Sequence, residues 1–197
     1  MTSTPADCAQ PHRRHRKIGR HTGVAAATAV ALLAPLTACS DPQREYAVPS
    51  KLCGIRLDKS LYAPIFPAGK QEKQEDPIKG EADHEQCNVY IDGFVKITVS
   101  GLWTDRTITP QPTLATLVAE HGPYKAERVP GKYPAATWPS GALTLVECPN
   151  PKYRANLYSL TIATQTIKDH DKSHDVLGKL IQAYTEKVLE MLPCGKS

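Results

Sequence analysis

The sequence feature that most constrains the fold is a β-hairpin signal at residues 87–99. Two runs rich in β-branched and aromatic residues flank the dipeptide Asp92-Gly93. Asp-Gly is favoured in the two-residue type I′ turn, in which both residues take positive φ. After the turn, Val95, Ile97 and Val99 alternate with polar residues, which is typical of a strand with one buried and one wet face. The chain is therefore expected to contain an antiparallel sheet.

A second signal is an apolar stripe that predicts a helix over residues 173–192. Apolar residues recur there at spacings of three and four along an otherwise charged segment: Val176, Leu177, Leu180, Ile181, Tyr184, Val188, Met191 and Leu192. Elsewhere in the chain the sequence predicts strands at 142–148 and 156–167 and a short helix at 113–122. We therefore expect a single α+β domain, with an antiparallel sheet of about four to six strands and the C-terminal helix packed on one face.

The first forty residues have the three parts of an export signal: a basic cluster at 13–20, an apolar run at 23–34, and small residues before a cleavage site. The stretch Leu36-Thr37-Ala38-Cys39 resembles the lipobox of bacterial lipoproteins. In that family the cysteine carries a diacylglyceryl group, and cleavage makes it the first residue. An uncleaved membrane anchor is the alternative, but the apolar run is shorter than the ~20 residues of a spanning helix. The Arg13-Arg14 pair leaves twin-arginine export open beside the general route.

This resemblance divides the chain into three parts. It implies a lipoprotein signal peptide at 1–38, the lipidated Cys39 with a flexible, proline-containing tether at 39–50, and a globular extracytoplasmic domain at 51–197. The expected location is the cell membrane, with the lipid holding the protein on the extracytoplasmic face. Residues 69–86, with six acids, three lysines and one isoleucine, are expected to form an exposed excursion.

Four cysteines remain after cleavage and lipidation: Cys53, Cys87, Cys148 and Cys194. Outside the cytoplasm an even set of thiols is usually paired, so two disulfides are expected. We favour Cys53 with Cys87 and Cys148 with Cys194, because these loops do not cross; the other two pairings stay open. Zinc held by all four thiolates is an alternative, but such cysteines usually lie two to four residues apart, whereas no two here are closer than 34 positions.

The charge of the mature chain argues against nucleic acid as a partner. The whole chain has 24 Lys and Arg against 20 Asp and Glu, and the leader holds five of these cations and one of these acids, which leaves 19 of each. The basic excess therefore belongs to a segment that is removed. The expected partners are the membrane, through the lipid, and an unidentified protein or small-molecule ligand.

Two histidines are weak candidates for a metal site. His170 and His174 are four residues apart among acids, so on a helix their imidazoles share a face. A third ligand would have to come from elsewhere, for example His84 or His121. The alternative is that acids favour the start of the last helix and the histidines are simply solvated. We expect no metal and no cofactor.

Motifs for catalysis are missing from the sequence. There is no Gly-x-Ser-x-Gly elbow, no Ser-x-x-Lys and no glycine-rich phosphate loop. If both disulfides form, no free thiol remains for a cysteine enzyme. The chain is thus expected not to be an enzyme; the alternative is an extracytoplasmic hydrolase whose site sequence does not reveal.

A proline-rich stretch at 121–141 is a candidate binding surface. Tyr124, Tyr133 and Trp138 lie on it, and rigid aromatic side chains bind at low entropic cost. Its cations Lys125, Arg128 and Lys132 suit an anionic or sugar-like partner. The alternative is that Trp138 and a tyrosine fold inward over the sheet.

The mature chain also resembles small cell-envelope lipoproteins of actinobacterial type, whose functions are uncharacterised. The resemblance rests on the proline-containing tether, Leu52-Cys53-Gly54, the cysteine that opens a strand at 87, the cysteine that ends one at 148, and Leu192-Pro193-Cys194. It implies localisation and disulfides but no substrate. The expected function is that of a non-enzymatic lipoprotein that binds a ligand or partner at the membrane surface.

Overall fold

The computed structural model describes residues 43–105, 107–108, 112–121, 126–165 and 170–194. These residues form a seven-stranded antiparallel sheet with a long C-terminal helix, so the predicted α+β class is confirmed. In chain order the elements are α1 (Lys59–Tyr62), β1 (Glu72–Glu75), β2 (His84–Ile91), β3 (Phe94–Asp105), α2 (Leu114–His121), β4 (Glu127–Val129), β5 (Ala135–Trp138), β6 (Gly141–Asn150), β7 (Ala155–Thr164) and α3 (His170–Met191).

The sheet consists of two meanders placed side by side. Its order is β1-β2-β3-β7-β6-β5-β4, and only the pairing of β3 with β7 joins strands that are not consecutive in the chain. The turn between β2 and β3 has Asp92 at φ 52° and Gly93 at φ 81°, as the type I′ prediction requires. Most of the pairing therefore follows from short local connections.

The hydrophobic core lies between the sheet and α3. On β3, Ile97 and Val99 face the same side as Leu160 and Ile162 of β7, and all four are fully buried. The helix α3 contacts β5, β6 and β7. Six of the eight residues of the predicted stripe are buried: Leu177, Leu180, Ile181, Tyr184, Val188 and Leu192 at its end. Val176 is half-buried, and the predicted burial of Met191 is wrong, because it is exposed at the end of the helix.

The predicted burial of Val95 is wrong, although that of Ile97 and Val99 is confirmed. A register shift between Val89 and Tyr90 leaves Val89 opposite Ile97 but places Tyr90 opposite Val95. One extra residue in β3 reverses the alternation of faces beyond that point. Val95 is consequently exposed at the tip of the hairpin.

Two disulfides join the predicted cysteine pairs. Cys53 is bonded to Cys87 and Cys148 to Cys194, with Cα atoms 5.7 Å and 4.6 Å apart. The first bond ties the start of the domain to β2, and the second ties β6 to the residues that follow α3. Each bond therefore fixes one half of the sheet to a segment packed over it.

Two segments that were expected to be exposed or flexible are ordered. Within 69–86, β1 pairs with β2, and Ile78 is buried. Residues 44–49, expected to be part of a free tether, lie against the domain: the backbone N–H of Glu45 donates to the carbonyl of Gly69 over 2.8 Å. The Arg44 guanidinium donates to the carbonyls of Ala63 and Phe66. Backbone pairing and side-chain hydrogen bonds order these two segments, although their polar composition predicted that they would be exposed or flexible.

Several predicted features lie outside the described residues: the signal peptide, Cys39, Tyr124 and Lys125. The same holds for the side chains of His121 and His170. Among the helices that the structure describes, none combines the length and the apolar composition needed to cross a bilayer.

Candidate functional site

A groove of about 660 Å³ between α3 and the loop from β4 to β5 is the best candidate for a functional site. Its volume falls in the range of small-ligand sites. Val129, Pro130 and Tyr133 line it from the β4–β5 side, and Leu61 lines it from α1. The groove thus has a largely apolar wall on one side and a helix on the other.

The helix wall is built by residues that recur every four positions along α3. His174, Gly178, Gln182 and Glu186 line the groove, and this spacing places them on one side of the helix. They lie beside the buried stripe that packs on the sheet. Gly178 allows close approach, because a Cβ there would lie 3.2 Å from a methyl carbon of Val129.

Gln182 fixes the opposite wall. Its side-chain oxygen accepts from the backbone N–H of Tyr133 at 3.0 Å, and its NH₂ donates to the carbonyl of Tyr133 at 2.8 Å. The lack of a side chain at Gly131 leaves room for this amide, since a Cβ there would lie 2.5 Å from the Gln182 carboxamide carbon. The two hydrogen bonds hold the loop at a set distance from the helix and so keep the groove shaped before any ligand binds.

The rim carries two exposed ion pairs. Lys132 lies 3.1 Å from Glu186, and Lys179 lies 2.8 Å from Asp175. Pairs this exposed add little stability. Hydrogen bonding to Tyr133, and then to Glu186, raises the pKa of Lys132 above its ordinary value. Lys132 therefore stays protonated at neutral pH. It presents a positive charge to a ligand and cannot act as a general base.

The end of the groove holds a hydroxyl, an imidazole and a carboxylate in contact. His174 Nδ1 is hydrogen-bonded to Thr137 Oγ1, and its Nε2 lies 3.4 Å from Glu127 Oε1. In hydrolases this combination activates a nucleophile. Here Thr137 is only 1% exposed, so a substrate carbonyl has no path to its oxygen. The contacts instead connect α3 to β4 and β5.

The described residues provide no set of ligands for the metal site that the two histidines suggested. No three His, Cys, Asp or Glu side chains are grouped there at distances that could hold a metal ion. His174 contacts Thr137 and Glu127, and His84, named as a possible third ligand, lies 3.1 Å from Ser100 Oγ. These two histidines are engaged with different strands.

The aromatic residues predicted to form a binding surface lie in different places. Tyr133 is half-buried in the groove wall, with Lys132 Nζ 5.1 Å from its ring centroid. Trp138 is 6% exposed, and a Cβ on Gly141 would lie 2.5 Å from its ring. Since Thr137 faces α3, Trp138 faces the opposite side of the sheet. An exposed surface that includes Trp138 is therefore wrong, and the inward-folded alternative fits this residue.

The contribution of α3 was missed by the sequence analysis. Gly178, Gln182 and Glu186 were not singled out among the residues between the apolar positions of the helix. Their spacing of four beside the apolar stripe was a usable signal, because such a stripe borders whatever packs next to the helix. What sequence does not reveal is that the β4–β5 loop approaches there.

No family model, no curated protein and no solved structure matches this chain.

Proposed function

We propose that this protein is a lipoprotein anchored through Cys39 on the extracytoplasmic face of the cell membrane, and that its domain binds a small ligand or a partner protein without catalysis. The single observation behind the binding function is the groove between α3 and the β4–β5 loop. The lipobox-like stretch and the two disulfides support the location, because paired thiols are typical of exported proteins.

The groove has the properties of a binding site that is formed in advance. The two Gln182 hydrogen bonds fix its walls, so little ordering remains when a ligand enters. Tyr133 supplies a ring face, and Lys132 and Lys179 supply cations at the rim. A ligand with a flat or sugar-like ring fits this combination, and an anionic group on it would have to displace Glu186 or Asp175 from these cations.

The alternative, an extracytoplasmic hydrolase, has one supporting observation, the contact of Thr137, His174 and Glu127. A hydrolase needs its nucleophile open to substrate. Because Thr137 is buried, we favour the binding function.

Cys39→Ser should move the protein from the membrane into the medium. The hydroxyl does not accept the diacylglyceryl group, and two acyl chains are what make such anchoring stable. The measurement is the share of protein that sediments with membranes. Cys8→Ser is the matched control, since Cys8 belongs to the leader, and this variant should sediment like the parent. A Cys39→Ser protein that stays in the membrane fraction would contradict the anchor.

Ala183→Trp should abolish binding in the groove. Ala183 lines the groove, and an indole there occupies the space of the ligand. Cells that express the full chain are treated with a crosslinker, and adducts and co-purifying small molecules are compared by mass spectrometry. We expect the amount of crosslinked partner or co-purified ligand to fall by roughly tenfold or more, as it does when a binding hot spot is lost.

Met191→Trp is the matched control for the groove. Met191 is exposed on the same helix and lies outside the groove lining, so the same bulky residue should leave recovery unchanged. Equal recovery from Ala183→Trp and the parent, with both proteins folded, would rule out the groove as the binding site.

A further inference from the structure

We propose that the tip of the β2–β3 hairpin, formed by Phe94 and Val95, rests in the surface of the phospholipid bilayer that holds the lipid anchor. This inference depends on the proposed lipidation of Cys39. It adds a second membrane contact and a fixed orientation of the domain.

The tip exposes two large apolar side chains in succession. Phe94 is 69% exposed and Val95 is 48% exposed, whereas Ile97 and Val99 further along the same strand are buried. The register shift that turns Val95 outward gives the tip a second apolar residue that regular alternation would have buried. Exposed aromatic and aliphatic side chains are stabilised when they move from water to the boundary between head groups and acyl chains.

The hairpin tip lies at the place where the chain from the anchor reaches the domain. Glu45 donates its backbone N–H to Gly69, and a Cβ on Gly69 would lie 2.3 Å from Ile91 and 2.9 Å from Asp92. Asp92 is two residues before Phe94. Five peptide links separate Arg44 from Cys39, and even fully extended they reach at most about 18 Å. A lipid on Cys39 therefore keeps this corner of the domain close to the bilayer.

The charges around the tip are compatible with phospholipid head groups. Lys70 and Lys96 lie beside it, and Lys96 Nζ is 5.7 Å from the ring centroid of Phe94. Acids are present as well, namely Glu45, Asp92 and Glu72, which lies opposite Ile91. The Asp92 carboxylate accepts the backbone N–H groups of Gln71 and Lys70 at 2.9 Å, and these bonds lower its pKa. Its charge is met first by these backbone donors and more weakly by the charges of Lys70 and Lys96, whose ammonium groups can also meet lipid phosphates.

The test places a tryptophan at the tip of the lipidated full chain. Phe94→Trp protein, purified with its acyl chains, is reconstituted in vesicles of equal parts phosphatidylcholine and phosphatidylglycerol, with or without bromine on the acyl chains. The native tryptophans are buried, and the parent protein gives their background. We expect the added emission to shift to the blue and to lose roughly half its intensity in brominated vesicles, because the side chain lies at the acyl boundary. Val95→Trp should behave alike.

Leu102→Trp is the matched control. Leu102 is 43% exposed on the same strand and about 26 Å from Phe94 along it, so its emission should be unchanged by bromine. No quenching at position 94 in protein that carries an acyl label overturns this inference and leaves the anchor standing. Equal quenching at 94 and 102 also overturns it. A parent protein that incorporates no acyl label overturns the anchor, and this inference with it.

Discussion

A chain that ends after Thr164 should show no cooperative unfolding transition. Such a chain lacks α3, whose buried side chains cover one face of the sheet: Leu177, Leu180, Ile181, Tyr184, Val188 and Leu192. Burial of one such side chain contributes about 2 kcal/mol, so the loss is about 12 kcal/mol. The whole free energy of unfolding of a domain is about 5–15 kcal/mol. The measurement is thermal unfolding followed by circular dichroism.

The truncation also removes Cys194, so its control must lack the same disulfide. The full-length double variant Cys148→Ala/Cys194→Ala has no bond there but keeps the helix. We expect it to melt cooperatively at a lowered temperature, whereas the truncated chain should not. A truncated chain with a sharp transition would mean that the sheet is stable without the helix.

Elements with strong side-chain periodicity could be predicted from sequence. The hairpin of β2 and β3, the strand β7 and α3 carry a repeating apolar pattern that matches a buried face. The strand β6 has a nearly continuous apolar run instead, and its first six residues are all buried. The disulfide pairing followed from the order of the cysteines along the chain, and both bonds formed as favoured. These features depend on local chemistry, which a single sequence contains.

Edge strands were missed because pairing, not apolar burial, defines them. β1 has the sequence Glu-Lys-Gln-Glu, and β4 has only three residues. Polar composition is common at sheet edges, and it resembles that of a loop. β5 is buried but lies between prolines, and its two alanines have low strand propensity. Only the partner strand β6 shows that it belongs to the sheet.

The candidate site was predicted in part. Tyr133 and Lys132 came from the aromatic and basic content of the loop, and both border the groove. Trp138 was misplaced because the face of a residue in a strand depends on register, and the register of β5 is set by β6. The contribution of Gln182 depends on a contact between residues 49 positions apart, which no local pattern encodes.

Removing either disulfide should lower the free energy of unfolding by about 4 kcal/mol. The loops span 34 and 46 residues, and in the chain-entropy model closing a loop of this size restricts the unfolded chain by about that amount. The dependence on loop length is weak, so the two bonds should differ by only about 0.3 kcal/mol. Urea unfolding of Cys53→Ala/Cys87→Ala and of Cys148→Ala/Cys194→Ala, each compared with the parent, measures both effects.

The two losses should add, because the closed segments share no residue. Together they reach about 8 kcal/mol, which is a large part of the whole free energy of unfolding of a domain of this size. The quadruple variant, which lacks all four cysteines, should therefore be largely unfolded at 37 °C, while each double variant stays folded. If the quadruple variant is as stable as either double variant, then one bond contributes nothing once the other is absent, and the independence of the two halves of the sheet is refuted.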